Sequence, residues 1–173
     1  KTLVSMAQIV QAAGLVPIVE PEVLIDGDHT IERCFDVTSA VHEHLMKELR
    51  AGGIYFPGLI LKTSMVISGK DCPVQASVEE VAAMTLKCLK QHVPPDIGGV
   101  VFLSGGQSGD AATAHLDTMH KMDTDLPWAL TFSYGRAIQN DALALYAKGD
   151  KQGAQEALIR RAKNNSLAST GSL

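Results

Sequence analysis

The chain has 173 residues, 46% of them hydrophobic and 20% charged, which is enough apolar material for one ordinary domain with a sizeable core. Its formal net charge of -4 argues against a general nucleic-acid binder, which needs a basic face, but leaves room for a local positive pocket that takes anionic small molecules. No stretch is long and apolar enough to cross a membrane.

The opening Lys1-Thr2-Leu3-Val4 is neither a signal peptide nor a natural initiator. It reads as the middle of a helix, as in a truncated product. Residues 3–13 carry that helix and Gly14 ends it. Leu15 to Val19 is a short apolar run split by Pro17, a residue that suits only the start or edge of a strand. After a turn at Asp26-Gly27-Asp28, helical periodicity runs from about Thr30 to Arg50, and Gly52-Gly53 stops it. A second strand spans Leu59 to Leu61. Ser77-Val-Glu-Glu resembles a capping box and opens a helix that reaches His92, where Pro94-Pro95 follow. The third strand is Gly99 to Leu103, with a helix over 109–121. The fourth is Trp128 to Phe132, with helices over 136–147 and 151–163. The polar tail, residues 164–173, is expected to be loose.

Alternating α and β segments with apolar strands imply a parallel sheet covered by helices. Two architectures fit: an open doubly wound sheet, or half of a (β/α)8 TIM barrel, since a whole barrel takes about 250 residues. In both, sites assemble at the carboxyl ends of the strands, and each strand here ends in chemistry.

Lys62 follows the apolar run Gly58-Leu-Ile-Leu. Burial disfavours an ammonium and favours the free amine, a nucleophile able to form a Schiff base with a carbonyl. A lysine at a strand end can also snorkel into water. Glu20 and Glu22 flank Pro21 and point to one side of an extended segment. Paired carboxylates suit general acid/base work, or pairing with a lysine of the next strand; a solvated turn is the plainer alternative. Ser104-Gly105-Gly106 sits between a strand and a helix, where backbone N–H groups can bind phosphate. The same glycines would equally serve a flexible loop. Ser133, Gly135 and Arg136 close the fourth strand. An arginine opening a helix opposes the dipole and makes better sense as a phosphate fork, or as the partner of a nearby acid.

Other motifs carry less. His42 and His44 are two apart and do not share a helix face, so a half-buried or solvated position is expected rather than a metal. Asp26-Gly-Asp-His-Thr lacks the glycine and terminal glutamate of a calcium loop. Cys34, Cys72 and Cys88 have neither metal nor redox spacing, which points to a reducing compartment.

Four segments, taken together, resemble the class I fructose-bisphosphate aldolases in that family's order and spacing: Val16-Pro-Ile-Val-Glu-Pro-Glu, Leu61-Lys62, Phe102-Leu-Ser-Gly-Gly-Gln-Ser and Leu130-Thr-Phe-Ser-Tyr-Gly-Arg. The resemblance runs from Lys1 to about Ser169. It implies that the chain is a single partial domain, the C-terminal half of a TIM barrel with strands five to eight and their covering helices. It implies a reversible retro-aldol cleavage of fructose bisphosphate to dihydroxyacetone phosphate and glyceraldehyde phosphate, with no metal or other cofactor. Lys62 would form the Schiff base, Glu20 would act as general acid/base, and Glu22 would hydrogen-bond the lysine. Ser104, Gly105, Gly106, Ser133, Gly135 and Arg136 would hold one substrate phosphate. The family is cytoplasmic and commonly homotetrameric.

The chain departs from the family's animal members in two places. Thr63-Ser64 follows the lysine where they carry Pro-Asn, and the tyrosine-ended tail is missing. The other half of the family's barrel adds an aspartate and basic residues for the second phosphate, so these residues alone are expected to be weak or inactive. Another Schiff-base lyase, transaldolase-like, and a non-catalytic half barrel that binds phosphate or self-associates are the alternative readings.

Overall fold

In a computed structural model, residues 2–173 are described; the expected mid-helix start at Lys1 lies outside the described residues. Among these residues the order is α1 (Thr2–Ala12), β1 (Ile18–Val19), α2 (Ile31–Ala51), β2 (Ile60–Thr63), α3 (Val78–His92), β3 (Gly99–Phe102), α4 (Gly109–Met122), β4 (Leu130–Phe132), α5 (Arg136–Ala147) and α6 (Lys151–Ala168). A short 3-10 turn, Phe56–Gly58, leads into β2. No helix among the described residues is long and apolar enough to cross a membrane.

The strands form one parallel sheet in the order β1-β2-β3-β4. That order decides between the two architectures. Crossovers between parallel strands are right-handed. When every crossover steps in the same direction, all the helices fall on one face. Accordingly α2 packs on α3, α3 on α4, and α4 on α5 and α6. A doubly wound sheet needs a reversal of strand order, and this one has none. The winding is that of half a (β/α)8 barrel.

Register then fixes the faces. Val19, Leu61, Val100 and Leu130 are aligned across the sheet and all are buried. Successive residues alternate faces, so Leu61 and Thr63 are covered whereas Ile60 and Lys62 are half-buried. The helices supply matching stripes. In α2 these are Ile31, Cys34, Thr38, His42, Leu45, Met46 and Leu49, at helical spacing behind a Thr30 cap. The predicted capping box of α3 forms in both directions: the Glu80 N–H donates to Ser77 Oγ (3.2 Å) and the Ser77 N–H to Glu80 Oε2 (2.8 Å).

Three boundaries differ from the sequence expectation. β1 begins at Ile18, leaving Leu15 and Val16 exposed, because Pro17 has no N–H to give a ladder; its carbonyl still accepts from Ile60 N–H. β2 continues through Lys62 to Thr63, so Lys62 lies within the strand, opposite Val101. The expected loose tail from Asn164 is instead helix to Ala168. Asn165 is fully buried, accepting from Thr113 Oγ1 (2.9 Å) and donating to the Arg161 carbonyl (3.0 Å), which docks α6 on α4. Polarity suggested solvent, but here a polar side chain is buried with its bonds made.

Two buried histidines brace the layers. His42 of α2 places Nε2 2.9 Å from Thr63 Oγ1, directly behind the strand of Lys62. Its burial, rather than the half-exposed face expected, follows from its place in the apolar stripe. His115 of α4 places Nδ1 2.7 Å from Gln107 Oε1. Burial holds both rings near pKa about 4, below their ordinary 6.5, with the charge of His92 adding to the effect at His42.

Replacing Asn165 with alanine should cost about 2 kcal/mol and lower Tm by about 4–8 °C. An unchanged melting temperature would instead fit a loose tail. The unfolded chain binds more protons than the folded one between the two histidine pKa values. Their contribution is therefore complete above about pH 6.5 and is lost as pH falls toward 4, on the order of 3 kcal/mol each. NMR titration of the folded protein should find both rings neutral at pH 5.5; a midpoint near 6.5 would contradict this.

Candidate active site

Continuing the register Ile18–Ile60 and Val19–Leu61 by one residue brings Glu20 opposite Lys62. The side chains meet: Lys62 Nζ lies 3.0 Å from Glu20 Oε1. The lysine side chain is 21% exposed and the glutamate 46%, so a small molecule can reach the amine while most of its stem stays packed. The lysine sits on the face away from the helices, at the carboxyl end of the sheet. The snorkelling alternative required a cation running into water; this one ends on a carboxylate from the neighbouring strand.

Glu22 points elsewhere. The carboxylate within ion-pair reach of Lys62 is Glu20, and Glu22 lines a cavity of about 270 Å³ together with Gly105, Gly106, Arg136, Asp26 and Lys70. The two glutamates therefore serve two neighbouring spaces, although two-residue spacing suggested a shared side. The reason is local: the chain leaves β1 after Val19 and is irregular through Pro21.

The Ser104–Ser108 turn reaches the cavity through Gly105 and Gly106. Gly105 and Gly106 have φ of +57° and +89°, a left-handed backbone that only glycine adopts cheaply. A side chain at Gly106 would also press on Ile25. Ser108 then caps α4 by accepting from Ala111 N–H (3.1 Å). The neighbouring strand ends stay level because Leu103 N–H donates to the Thr63 carbonyl (3.0 Å) and Ser133 N–H to that of Phe102 (2.8 Å). The buried Tyr134 hydroxyl donates to the Ala112 carbonyl (3.0 Å), tying the β4–α5 turn to α4. Gly135 caps α5 without a side-chain bond, and Arg136 opens it, exposed and with no carboxylate within ion-pair distance among the described residues. The alternative role of Arg136, a salt bridge to a nearby acid, is thus not what the fold uses. Ser104 is buried and Ser133 exposed; with Gly135 they stand on the same two turns, just outside the cavity lining.

Asp26 and Lys70 escaped sequence reasoning. Asp26 reads as part of a turn that fails as a calcium loop, and Lys70 lies in the irregular stretch between β2 and α3, where no periodicity marks a face. The detectable signal was the density of glycine and charge in both loops, Asp26-Gly-Asp and Gly69-Lys-Asp.

A family model for class-I fructose-bisphosphate aldolase matches residues 1–173. The probable fructose-bisphosphate aldolase class 1 of Xanthomonas campestris pv. campestris is 52% identical over 172 residues, covering 98% of this chain and 51% of that protein. The fructose-bisphosphate aldolase of Dictyostelium discoideum is 45% identical over 173 residues, covering 98% and 48%. Among solved structures, a ternary complex of the Plasmodium falciparum fructose-bisphosphate aldolase with TRAP and a small-molecule inhibitor matches with a TM-score of 0.94 at 43% identity, covering 99% of this chain and 50% of that one. The chain spans about half the length of the curated relatives it matches. The transaldolase-like alternative finds no support in these matches. Motifs, winding and relatives agree: this chain belongs to the class-I fructose-bisphosphate aldolase family.

Proposed function

We propose that the complete protein is a glycolytic fructose-bisphosphate aldolase, with these residues supplying its covalent lysine and one of its phosphate sites. The observation that carries the reading is the Lys62–Glu20 pair at 3.0 Å, on the end of the sheet that also holds the Gly105, Gly106 and Arg136 cavity.

Glu20 accepts a proton from the Lys62 ammonium, and the freed amine attacks the ketone carbon of the open-chain bisphosphate. Glu20 returns that proton to the carbinolamine oxygen, which leaves as water. The resulting iminium is an electron sink, so the chemistry needs no metal. As Glu20, ionised again, takes the proton of the hydroxyl across the scissile bond, the carbon–carbon bond breaks. Its electron pair moves into an enamine on Lys62, and glyceraldehyde phosphate departs. Glu20 returns that proton to the enamine carbon, and attack of water on the resulting iminium releases dihydroxyacetone phosphate and the free lysine. General acid/base help of this kind contributes about 10²–10⁴-fold.

The phosphate of the ketone half is assigned to the backbone N–H groups at Gly105 and Gly106, the Ser104 and Ser133 hydroxyls, the Gly135 turn and the Arg136 fork. Glu22 borders that site and shapes its charge. Full turnover is assigned to the complete protein, since the chain covers about half of its relatives' length. A cytoplasmic homotetramer is the assembly proposed for it. A half barrel that only binds phosphate would leave the Lys62–Glu20 pair without a purpose.

Incubation with dihydroxyacetone phosphate and borohydride should add a reduced adduct to the peptide containing Lys62, read by mass spectrometry. Lys62→Arg should abolish it, and Glu20→Gln should slow trapping about 100-fold. Trapping of equal yield in Lys62→Arg, or an adduct on another lysine, would refute the assignment.

A further inference from the structure

The loop after β1 and the loop after β2 are fastened to one another beside the cavity. Three consecutive N–H groups, of Gly69, Lys70 and Asp71, donate to the carbonyls of His29 (2.8 Å), Ile25 (2.9 Å) and Gly27 (2.9 Å). Gly69 has no room for a Cβ, which would overlap the Gly27 carbonyl oxygen. Ser64 Oγ adds a further tie, donating to the Val23 carbonyl (3.0 Å) and accepting from Val23 N–H (3.1 Å). Lys70 is therefore presented to the cavity by a rigid backbone, with only its four-carbon stem free to move. Its ammonium bonds Asp26 Oδ1, and both side chains are more than half exposed.

The charges in this cavity do not suit a phosphate as they stand. A phosphomonoester carries about -1.5 to -2 at pH 7. Arg136 offers one positive charge, while Glu22 and Asp26 line the same space. An exposed lysine–aspartate pair is weak and exchangeable, so it does little to hold the loops that the backbone already fastens. It does hold a second cation at the rim. The Asp26 carboxyl is kept below the usual carboxylate range by the hydrogen bond and charge of Lys70, with the Arg136 guanidinium adding to it, so both cations act on this space.

We propose that Lys70 is a second, swinging cation of the phosphate site, which leaves Asp26 to bind the phosphoryl group that Arg136 and the Gly105–Gly106 turn receive. Asp26 holds Lys70 at the cavity rim. The inference rests on the phosphate reading of this cavity. It names a ligand that composition and periodicity left unmarked, and gives Asp26 the role of a competitor.

Calorimetric titration of the full chain with inorganic phosphate tests it, with Arg136→Gln as the control and a melting curve for each variant. Lys70→Gln should weaken phosphate binding about tenfold or more, and Lys70→Arg should largely restore it. Asp26→Asn should tighten binding about threefold by removing the competitor, which no merely structural role for the pair predicts. If phosphate binds and Arg136→Gln impairs it while Lys70→Gln binds like the unaltered chain, the Lys70 inference is wrong. Weaker binding by Asp26→Asn would also overturn it. Absent binding, or no effect of Arg136→Gln, would overturn the phosphate reading itself, and this inference with it.

Discussion

The parallel register of β1 on β2 is the constraint on which the site depends. With Val19 against Leu61, Glu20 falls opposite Lys62 and both face away from the helices. A slip of one residue would turn Lys62 into the helical layer, among Leu45, Leu49 and Leu89, where an ammonium has no partner. The burial of Val19 and Leu61 prevents that slip, because it would bring both into the open. The apolar layer thus fixes where Lys62 stands. His42 contributes from the same side, its neutral ring against Thr63, one residue beyond the lysine.

Two kinds of chemistry are kept apart at the strand ends. The first pair of strands supplies an amine and the carboxylate that can exchange a proton with it. The second pair supplies a glycine turn and a helix start that favour an anion, with Arg136 unpaired among the described residues. Behind the second pair, Arg161 of α6 reaches Asp110 on α4 (2.7 Å) and Asp141 on α5 (3.0 Å). Gly109 lies against its guanidinium, where a Cβ would come within 2.9 Å. The first turn of α4 and the middle of α5 are thereby held by one side chain from α6. Residues 164–168 continue that helix, which is why their packing matters to the site.

Much of this was legible in the sequence, for physical reasons. Lys62 stands out because lysine is costly in an apolar run, and the Ser104–Ser108 turn because glycines between a strand and a helix can turn backbone N–H groups toward an anion, although a flexible loop would use them equally. Ser77 and Glu80 specified their helix start by spacing alone. What stayed hidden depended on tertiary pairing. Nothing local distinguishes Asn165, buried against Thr113, from a solvated asparagine, nor Glu20 from Glu22 as the partner of Lys62. Pro17 within the run Leu15–Val19 signals an awkward place in a strand, but that β1 shrinks to Ile18–Val19 depends on the hydrogen bonds it cannot make. Lys70 and Asp26 were missed because they lie on irregular loops whose order comes from each other.

Lys62 is proposed as the covalent centre and the glycine turn as its phosphate anchor. The most direct measurement is a crystal structure of the complete protein after borohydride reduction with dihydroxyacetone phosphate. The account predicts continuous density from Lys62 Nζ to the ketone carbon of the ligand, with the phosphate between Gly105, Gly106 and Arg136. An adduct on another lysine, or a phosphate bound away from that turn, would contradict it.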